Sequence, residues 1–322
     1  MRILIVYYSQ TGNTQKIARA IRSGLRENGD EVTLRFLKEA SYRELENYDA
    51  LGFGSPVWYE MPPNMRKFVE EMPDQKGKPG FSFCTHGTMP DLYFPLVVPR
   101  LARVGMKIVD WKDWYGNCSI QIFPEPYYTA GHPDKVDLSE AEEWGKDLSR
   151  KLDKVYRGDD REIPRYPAPD MMPAHANAAI DHLGGFHNVH GSLIRDPQKC
   201  LWPKCHICMD NCTMNYIDYT VNPQRFGSEG NSCDDRHGCT YCEMLCPTGA
   251  IKPMVPYEET APVGIDHGSE LFCMVLEKAE REGKFRRLTP ISEVGTTTPY
   301  YSVHTGHPRI RQIDTKNDNY EE

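Results

Sequence analysis

The 322-residue sequence contains no apolar run approaching the roughly 20 residues that a membrane-spanning helix needs, which excludes a helical transmembrane protein. The N-terminus offers only Ile3–Tyr8 before turning polar at Ser9, too little for the core of a secretory signal, so a cytoplasmic location is expected. A basic excess is also missing: 38 Lys and Arg stand against 46 Asp and Glu, for a net charge of −8. Residues 1–157 are balanced, and residues 158–322 carry the whole deficit. That balance argues against a nucleic-acid partner. It suits steering toward a basic patch on another protein, or solubility alone. No Gly-Lys-Ser/Thr follows a glycine-rich loop, and Gly-x-Gly-x-x-Gly is absent, so neither a P-loop nor a dinucleotide fingerprint is present. Local motifs assemble no Ser/His/Asp or Cys/His triad and no carboxylate pair for acid–base work, and no catalytic residue is assigned. With 39% hydrophobic and 26% charged residues, the composition is that of a folded chain of roughly two domains.

Cysteine is what the sequence has in an informative arrangement. Of 11 cysteines, eight fall between Cys200 and Cys246. Without a secretory signal, such a cluster points to metal binding before disulfides.

Residues 1–157 alternate between strand and helix patterns. Strands are expected at Arg2–Tyr8, Glu31–Leu37, Asp49–Gly54, Phe81–Thr85 and Ser119–Phe123. Helices are expected at Thr14–Asn28, Pro63–Glu71, Leu92–Val104 and Ser139–Tyr156. This alternation predicts a doubly wound parallel α/β sheet. Residues 158–192 read as a linker, with Pro164, Pro167, Pro169 and Pro173 in quick succession. The cysteine block occupies 193–252. Residues 253–322 form an extension with one amphipathic helix, in which Leu271, Phe272, Val275, Leu276 and Ala279 share a face before Gly283.

The first strand runs into Ser9-Gln10-Thr11-Gly12-Asn13-Thr14 directly before a helix. Hydroxyls, a glycine and a helix N-terminus together make an anion site that suits a terminal monophosphate; an ordinary Ser/Thr-rich cap is the alternative. In a sheet ordered 2-1-3-4-5, ligands bind outside the carboxyl ends of the first and third strands. The third strand ends in Gly54-Ser55-Pro56-Val57-Trp58-Tyr59, and the fourth in Thr85-His86-Gly87-Thr88-Met89. A phosphate cradle, an aromatic wall and a glycine-containing loop describe a site for FMN.

On these residues, 1–157 resemble a flavodoxin domain. The resemblance implies that Ser9, Thr11, Gly12, Asn13 and Thr14 hold the phosphate. Trp58 or Tyr59, following Pro56 and Val57, would stack on the isoalloxazine, and Thr85, His86, Gly87 and Thr88 would meet its polar edge. Alternatively, Trp58 and Tyr59 pack in the core or at a domain contact. The loop after the third strand begins Ser-Pro, without the glycine that many flavodoxins carry there.

The cysteines run Cys200-x4-Cys205-x2-Cys208-x3-Cys212 and Cys233-x5-Cys239-x2-Cys242-x3-Cys246-Pro247. They resemble the bacterial two-cluster ferredoxin pattern, in which the fourth cysteine of each run serves the other cluster. That resemblance implies one [4Fe-4S] cluster on Cys200, Cys205, Cys208 and Cys246, and a second on Cys233, Cys239, Cys242 and Cys212. Ala250 and Ile251 match the closing strand of such ferredoxins. The first spacers are longer than the family's, and Thr213 stands where a proline is expected. Two structural zinc sites are the rival reading. Cys84, Cys118 and Cys273 fall outside both sets, and Cys84 is expected to be a buried structural thiol. His175, His182, His187 and His190 would supply either a mononuclear metal site or ordinary hydrogen bonds. His206 and His237 lie within the cysteine loops, either near cluster sulfur or facing solvent.

The whole chain thus resembles the flavodoxin–ferredoxin fusion proteins. The fold expected is a flavodoxin-like doubly wound sheet of order 2-1-3-4-5 followed by a small α+β ferredoxin domain. The function expected is intracellular electron transfer between FMN and two [4Fe-4S] clusters, with a redox protein as donor or acceptor. The resemblance also implies oxygen-sensitive anaerobic chemistry. The alternatives are a reductase acting on a small substrate at the flavin, with His86 or Tyr59 as proton donor, and a relay subunit of a larger redox complex or homo-oligomer.

Overall fold

In the computed structural model, residues 1–58, 60–90, 92–118, 126–167, 193–212, 215–226, 241–253, 273–295 and 312–319 are described. The chain divides into two units: Met1–Asn117 with Gly131–Ala176 and Ile313–Glu322, and Cys118–Ala130 with Asn177–Gln312.

The first unit is built on five parallel strands in the order β2-β1-β3-β4-β5. They are β1 (Arg2–Tyr7), β2 (Glu31–Phe36), β3 (Ala50–Pro56), β4 (Pro79–His86) and β5 (Lys107–Tyr115). Ile3 to Tyr7 of β1 are all buried, and so is every residue of β4. Burial on both faces is why these central strands appear in the sequence as continuous apolar runs. Helices α1 (Asn13–Glu27), α2 (Pro63–Glu70), α3 (Tyr93–Arg103) and α4 (Lys135–Tyr156) complete the layer arrangement. Right-handed crossovers send α1 to one face of the sheet and α2 and α3 to the other. α4 packs against α1 at a close crossing. A Cβ at Gly24 would lie 1.9 Å from the Glu142 carbonyl oxygen, and one at Gly145 would lie 2.4 Å from that of Ile21.

The fifth strand of the sheet is Lys107–Tyr115, a segment that no expected strand covered; the strand expected at Ser119–Phe123 lies outside the described residues. As an edge strand it carries Asp110, Lys112 and Asp113, which interrupt the apolar run. α4 begins four residues before Ser139. Asp134 accepts from the N–H groups of Val136 and Asp137, while the Asp137 carboxylate accepts from the N–H of Asp134, closing a capping box.

β1 and β3 are hydrogen-bonded neighbours whose following helices leave for opposite faces. The crevice this opens lies between the loop 8–12 and the segment after Pro56. In the described tail of this unit, Asp318 is buried, and its carboxylate receives Gln15 Nε2 at 3.0 Å, Arg19 Nε at 2.9 Å and the Tyr7 hydroxyl.

In the second unit, β6 (Leu193–Arg195) pairs antiparallel with β9 (Ile251–Pro253), and β7 (Ile217–Asp218) pairs with β8 (Arg225–Phe226). Two short helices, α5 (Ile207–Asn211) and α6 (Tyr241–Leu245), pack against each other through Ile207, Tyr241, Met244 and Leu245. A second core joins Leu193, Cys208, Ile217, Tyr219, Cys246, Ala250 and Ile251. Residues 273–281 are helical with Leu276 fully buried, while Leu271 and Phe272 lie outside the described residues. Among the described residues, no helix is long and apolar enough to cross a membrane.

Candidate functional site

Two sites emerge, one in each unit. In the first, the chain leaves β1 at Tyr8, whose N–H donates to the Gly54 carbonyl and holds the loop to β3. Ser9 is buried, and its Oγ accepts from the N–H of Gly12 at 3.1 Å. Gly12 has φ +91°, a left-handed conformation that suits glycine, and a Cβ there would meet nothing within 4 Å. The space beside it is therefore open. No side chain caps α1, and its first turn carries no acidic residue, so the amides and positive dipole end of the helix are left for an anion.

Thr11 is half-buried, whereas Thr14 is buried with its Oγ1 2.8 Å from that of Thr85 at the end of β4. Asn13 Nδ2 donates to the Asn117 carbonyl at 3.1 Å, tying the segment after β5 to the helix start. Of the five predicted cradle residues, Ser9 and Gly12 shape the loop, Asn13 ties the helix start to Asn117, Thr14 braces β4, and Thr11 is half-buried.

On the other side of the crevice, the Val57 N–H donates to the Thr85 carbonyl at 2.9 Å, extending the β3–β4 ladder past Pro56. Trp58 is half-buried and meets the Tyr8 ring edge-on, with centroids 5.9 Å apart. Tyr59 lies outside the described residues. Thr85, His86 and Thr88 are buried, and Gly87 is half-buried. His86 Nε2 stands 2.9 Å from Asp113 Oδ2, and its ring packs edge-on against Tyr115. The Asp113 carboxyl is held below the ordinary range. Burial opposes ionisation, but the hydrogen bond and charge of His86 more than offset it. His86 Nδ1 is buried and has no hydrogen-bond partner among the described residues. Asp113 lies on a strand that no expected element covered.

In the second unit, Cys200, Cys205, Cys208 and Cys246 line one pocket, together with Ile207, Tyr219 and Ala250. The pocket is small, about 20 Å³, and partly open to solvent. Cys246 reaches it from the end of α6, 38 positions after Cys208 in the sequence. The other two described cysteines of the block, Cys212 and Cys242, do not line it. Cys233 and Cys239 lie outside the described residues, as do His237 and the four histidines from His175 to His190.

The sulfur atoms already have donors around them. The Ala250 N–H donates to Cys246 Sγ at 3.2 Å, and the Tyr216 N–H to Cys212 Sγ at 3.2 Å. Burial pushes the Cys208 thiol up. The Tyr219 hydroxyl and the Met209 N–H work against that rise, and the sulfurs of Cys246 and Cys200 add to it. His206 is exposed and pairs with Asp210 through Nδ1 at 2.5 Å, so it faces solvent. Cys84 is buried at the centre of β4, and burial holds its thiol well above the usual value.

A single tetrahedral zinc holds its thiolates at about 2.3 Å, which sets neighbouring sulfurs about 3.8 Å apart. Among the described residues, the one group of three candidate ligand atoms within 4.8 Å of one another is His132, Asp134 and Asp137, the α4 capping box with its histidine. None of the pocket cysteines belongs to that group.

Comparison with known proteins gives the class of the first unit. The sequence profile of the flavodoxin domain matches residues 4–92. A protein of Archaeoglobus fulgidus named NAD(P)H dehydrogenase (quinone) is 29% identical over 196 residues, covering 48% of this chain and 98% of the relative. A flavodoxin of Clostridium saccharobutylicum is 24% identical over 166 residues, covering 48% of this chain and 100% of the relative. A solved structure of a flavodoxin from the domain Archaea aligns with a TM-score of 0.39 at 24% identity, over 48% of this chain and 99% of that one. The N-terminal part of the chain is a flavodoxin-like domain.

Proposed function

We propose that the chain is an electron-transfer protein that binds FMN in its first unit and two [4Fe-4S] clusters in its second, exchanging electrons with a protein partner. The observation that carries this reading is the convergence of Cys200, Cys205, Cys208 and Cys246 on one pocket. Three cysteines of the first run are joined there by the last cysteine of the second, which is the interleaving that the two-cluster ferredoxin pattern requires. The β6–β9 pairing supports it by bringing the strand before the first run against the strand after the second. FMN exchanges one or two electrons, whereas each cluster passes one at a time. Holding both in one chain replaces a diffusional encounter with an intramolecular one.

The residues present fit both groups. Around the open cradle at Gly12, the α1 amides and the Thr11 hydroxyl would bind the phosphate of FMN, and Trp58 and the Thr85–Thr88 segment would bound its ring system. The four pocket thiols, with the Ala250 N–H donating to Cys246 Sγ, suit a polynuclear cluster. Cys212, with its N–H donor from Tyr216, would serve the second cluster with Cys233, Cys239 and Cys242.

The cradle separates two threonines by role. A hydrogen bond to a phosphate oxygen is worth about 1.5–3 kcal/mol, so Thr11→Val is expected to weaken FMN binding about ten-fold or more. Thr14→Val removes the partner of Thr85 and is expected to cost about 1 kcal/mol of stability, with a smaller change in FMN affinity. Fluorescence titration of apoprotein with FMN, paired with thermal unfolding, checks both. Equal and unchanged FMN affinities would contradict the cradle.

A second reading, a reductase acting on a small substrate at the flavin, draws on the relative named NAD(P)H dehydrogenase (quinone) and on the unpartnered Nδ1 of His86. The acceptor decides between them. Under the electron-carrier reading, the reduced protein is reoxidised fastest by a basic protein such as cytochrome c, with a rate that falls as salt is added, because residues 158–322 carry the acidic excess. Rapid, salt-independent turnover with a quinone would favour the reductase.

A further inference from the structure

The residue beside the cysteine pocket that its spacing pattern does not explain is Tyr219. It follows β7 and is buried, yet it ends in a hydroxyl. Its ring is held on three sides. Trp202 meets it edge-on at 5.7 Å, Phe226 stacks at 6.4 Å with planes 13° apart, and the Arg195 guanidinium lies 4.1 Å from its centroid. So clamped, the hydroxyl is directed at Cys208 Sγ, 3.7 Å away.

We propose that Tyr219 is a positioning residue for the cluster held by Cys200, Cys205, Cys208 and Cys246, donating its O–H to Cys208 Sγ and thereby raising that cluster's reduction potential. The inference rests on the reading of those four cysteines as one cluster's ligands. A thiol sulfur can donate to the tyrosine oxygen, but a ligating thiolate has no proton, so the only polarity left is O–H to S. A donor to a thiolate favours the more negative, reduced state of the cluster, and hydrogen bonds to sulfur are one of the protein's controls over potential. The cation over the ring acts in the same direction. It stabilises negative charge nearby, and it also holds the ring in place through its bond to Gln224.

Tyr219→Phe keeps the ring, the stacking and the cation contact and deletes the hydroxyl alone. Site-specific 3-fluorotyrosine at position 219 acidifies the hydroxyl and strengthens it as a donor. Potentials would be read by anaerobic redox titration followed by EPR, with iron and sulfide counted on the same samples.

The expected result is full iron in both proteins, a reduction equilibrium about ten-fold less favourable in the phenylalanine variant (about 59 mV lower for one electron) and a shift of opposite sign in the fluorinated one. Unmoved potentials with full iron would overturn the role of Tyr219 while leaving the cluster assignment standing. A wild-type chain without iron would overturn the cluster reading itself, and the inference with it. Should the phenylalanine variant lose its iron, the fluorinated protein alone decides: an upward shift supports the hydrogen bond and no shift refutes it.

Discussion

Cys246→Ser is expected to remove one cluster entirely, the one whose other ligands lie 38 to 46 positions earlier at Cys200, Cys205 and Cys208. Serine stays protonated at neutral pH where cysteine supplies a thiolate, so the fourth corner is lost. The protein should then hold about four iron atoms in place of about eight. Cys242 is four positions from Cys246 but does not line the pocket. Cys242→Ser should therefore remove the other cluster. Iron analysis with EPR on each variant checks the pair. Loss of the same cluster in both variants would refute the interleaving. α5 and α6 pack together, and the chain leaving α6 brings Cys246 to the pocket of Cys200, Cys205 and Cys208 before β9 pairs with β6.

The second large effect is expected at Asp318. Its side chain is 2% exposed, and its carboxylate is bonded by Arg19, Gln15 and the Tyr7 hydroxyl, while Arg22 reaches its backbone oxygen. The neighbouring Asn319 accepts from the Leu34 N–H at 2.7 Å and donates to the Leu34 carbonyl at 3.1 Å. It thus covers part of the open edge of β2, whose outward groups would otherwise be unpaired. Burial and the adjacent carboxylate push the Tyr7 hydroxyl far above its usual pKa, so Tyr7 stays a donor at any working pH.

Asp318→Asn removes the charge and leaves the cationic cluster and the buried Tyr7 hydroxyl mismatched. Breaking a buried pair costs about 3–5 kcal/mol, and here the loss is capped by the free energy of peeling the tail away. The expected outcome is a lower unfolding temperature and rapid proteolytic cleavage near residues 312–319. Wild-type thermal stability with an intact, protease-resistant tail would show that the contact carries no weight.

How much of this could be read from the sequence follows from physics that differs between segments. β1 and α1 were legible because a strand buried on both faces is apolar throughout and its helix shows one apolar stripe ending at Asn28-Gly29. β5 was not, because an edge strand bearing Asp110, Lys112 and Asp113 has the composition of a loop. The grouping of the four pocket cysteines came from the resemblance to two-cluster ferredoxins, since spacing alone puts Cys246 with Cys233, Cys239 and Cys242. Tyr219 was not legible, because nothing in its neighbourhood records that a ring clamped by Trp202, Phe226 and Arg195 ends against a sulfur. Asp318 is the extreme case. It meets Tyr7 across 311 positions, and a lone aspartate in a polar tail carries no periodicity that would announce a buried ion pair. Thr14 shows the converse: its position at the start of α1 was legible, but its bond to Thr85 at the end of β4 was not.

The central claim is a chain that carries FMN and two clusters, and it is tested most directly by counting iron, acid-labile sulfide and FMN per chain after strictly anaerobic purification. About eight iron, about eight sulfide and one FMN are expected. Zinc in the place of iron, or iron without flavin, would contradict that claim.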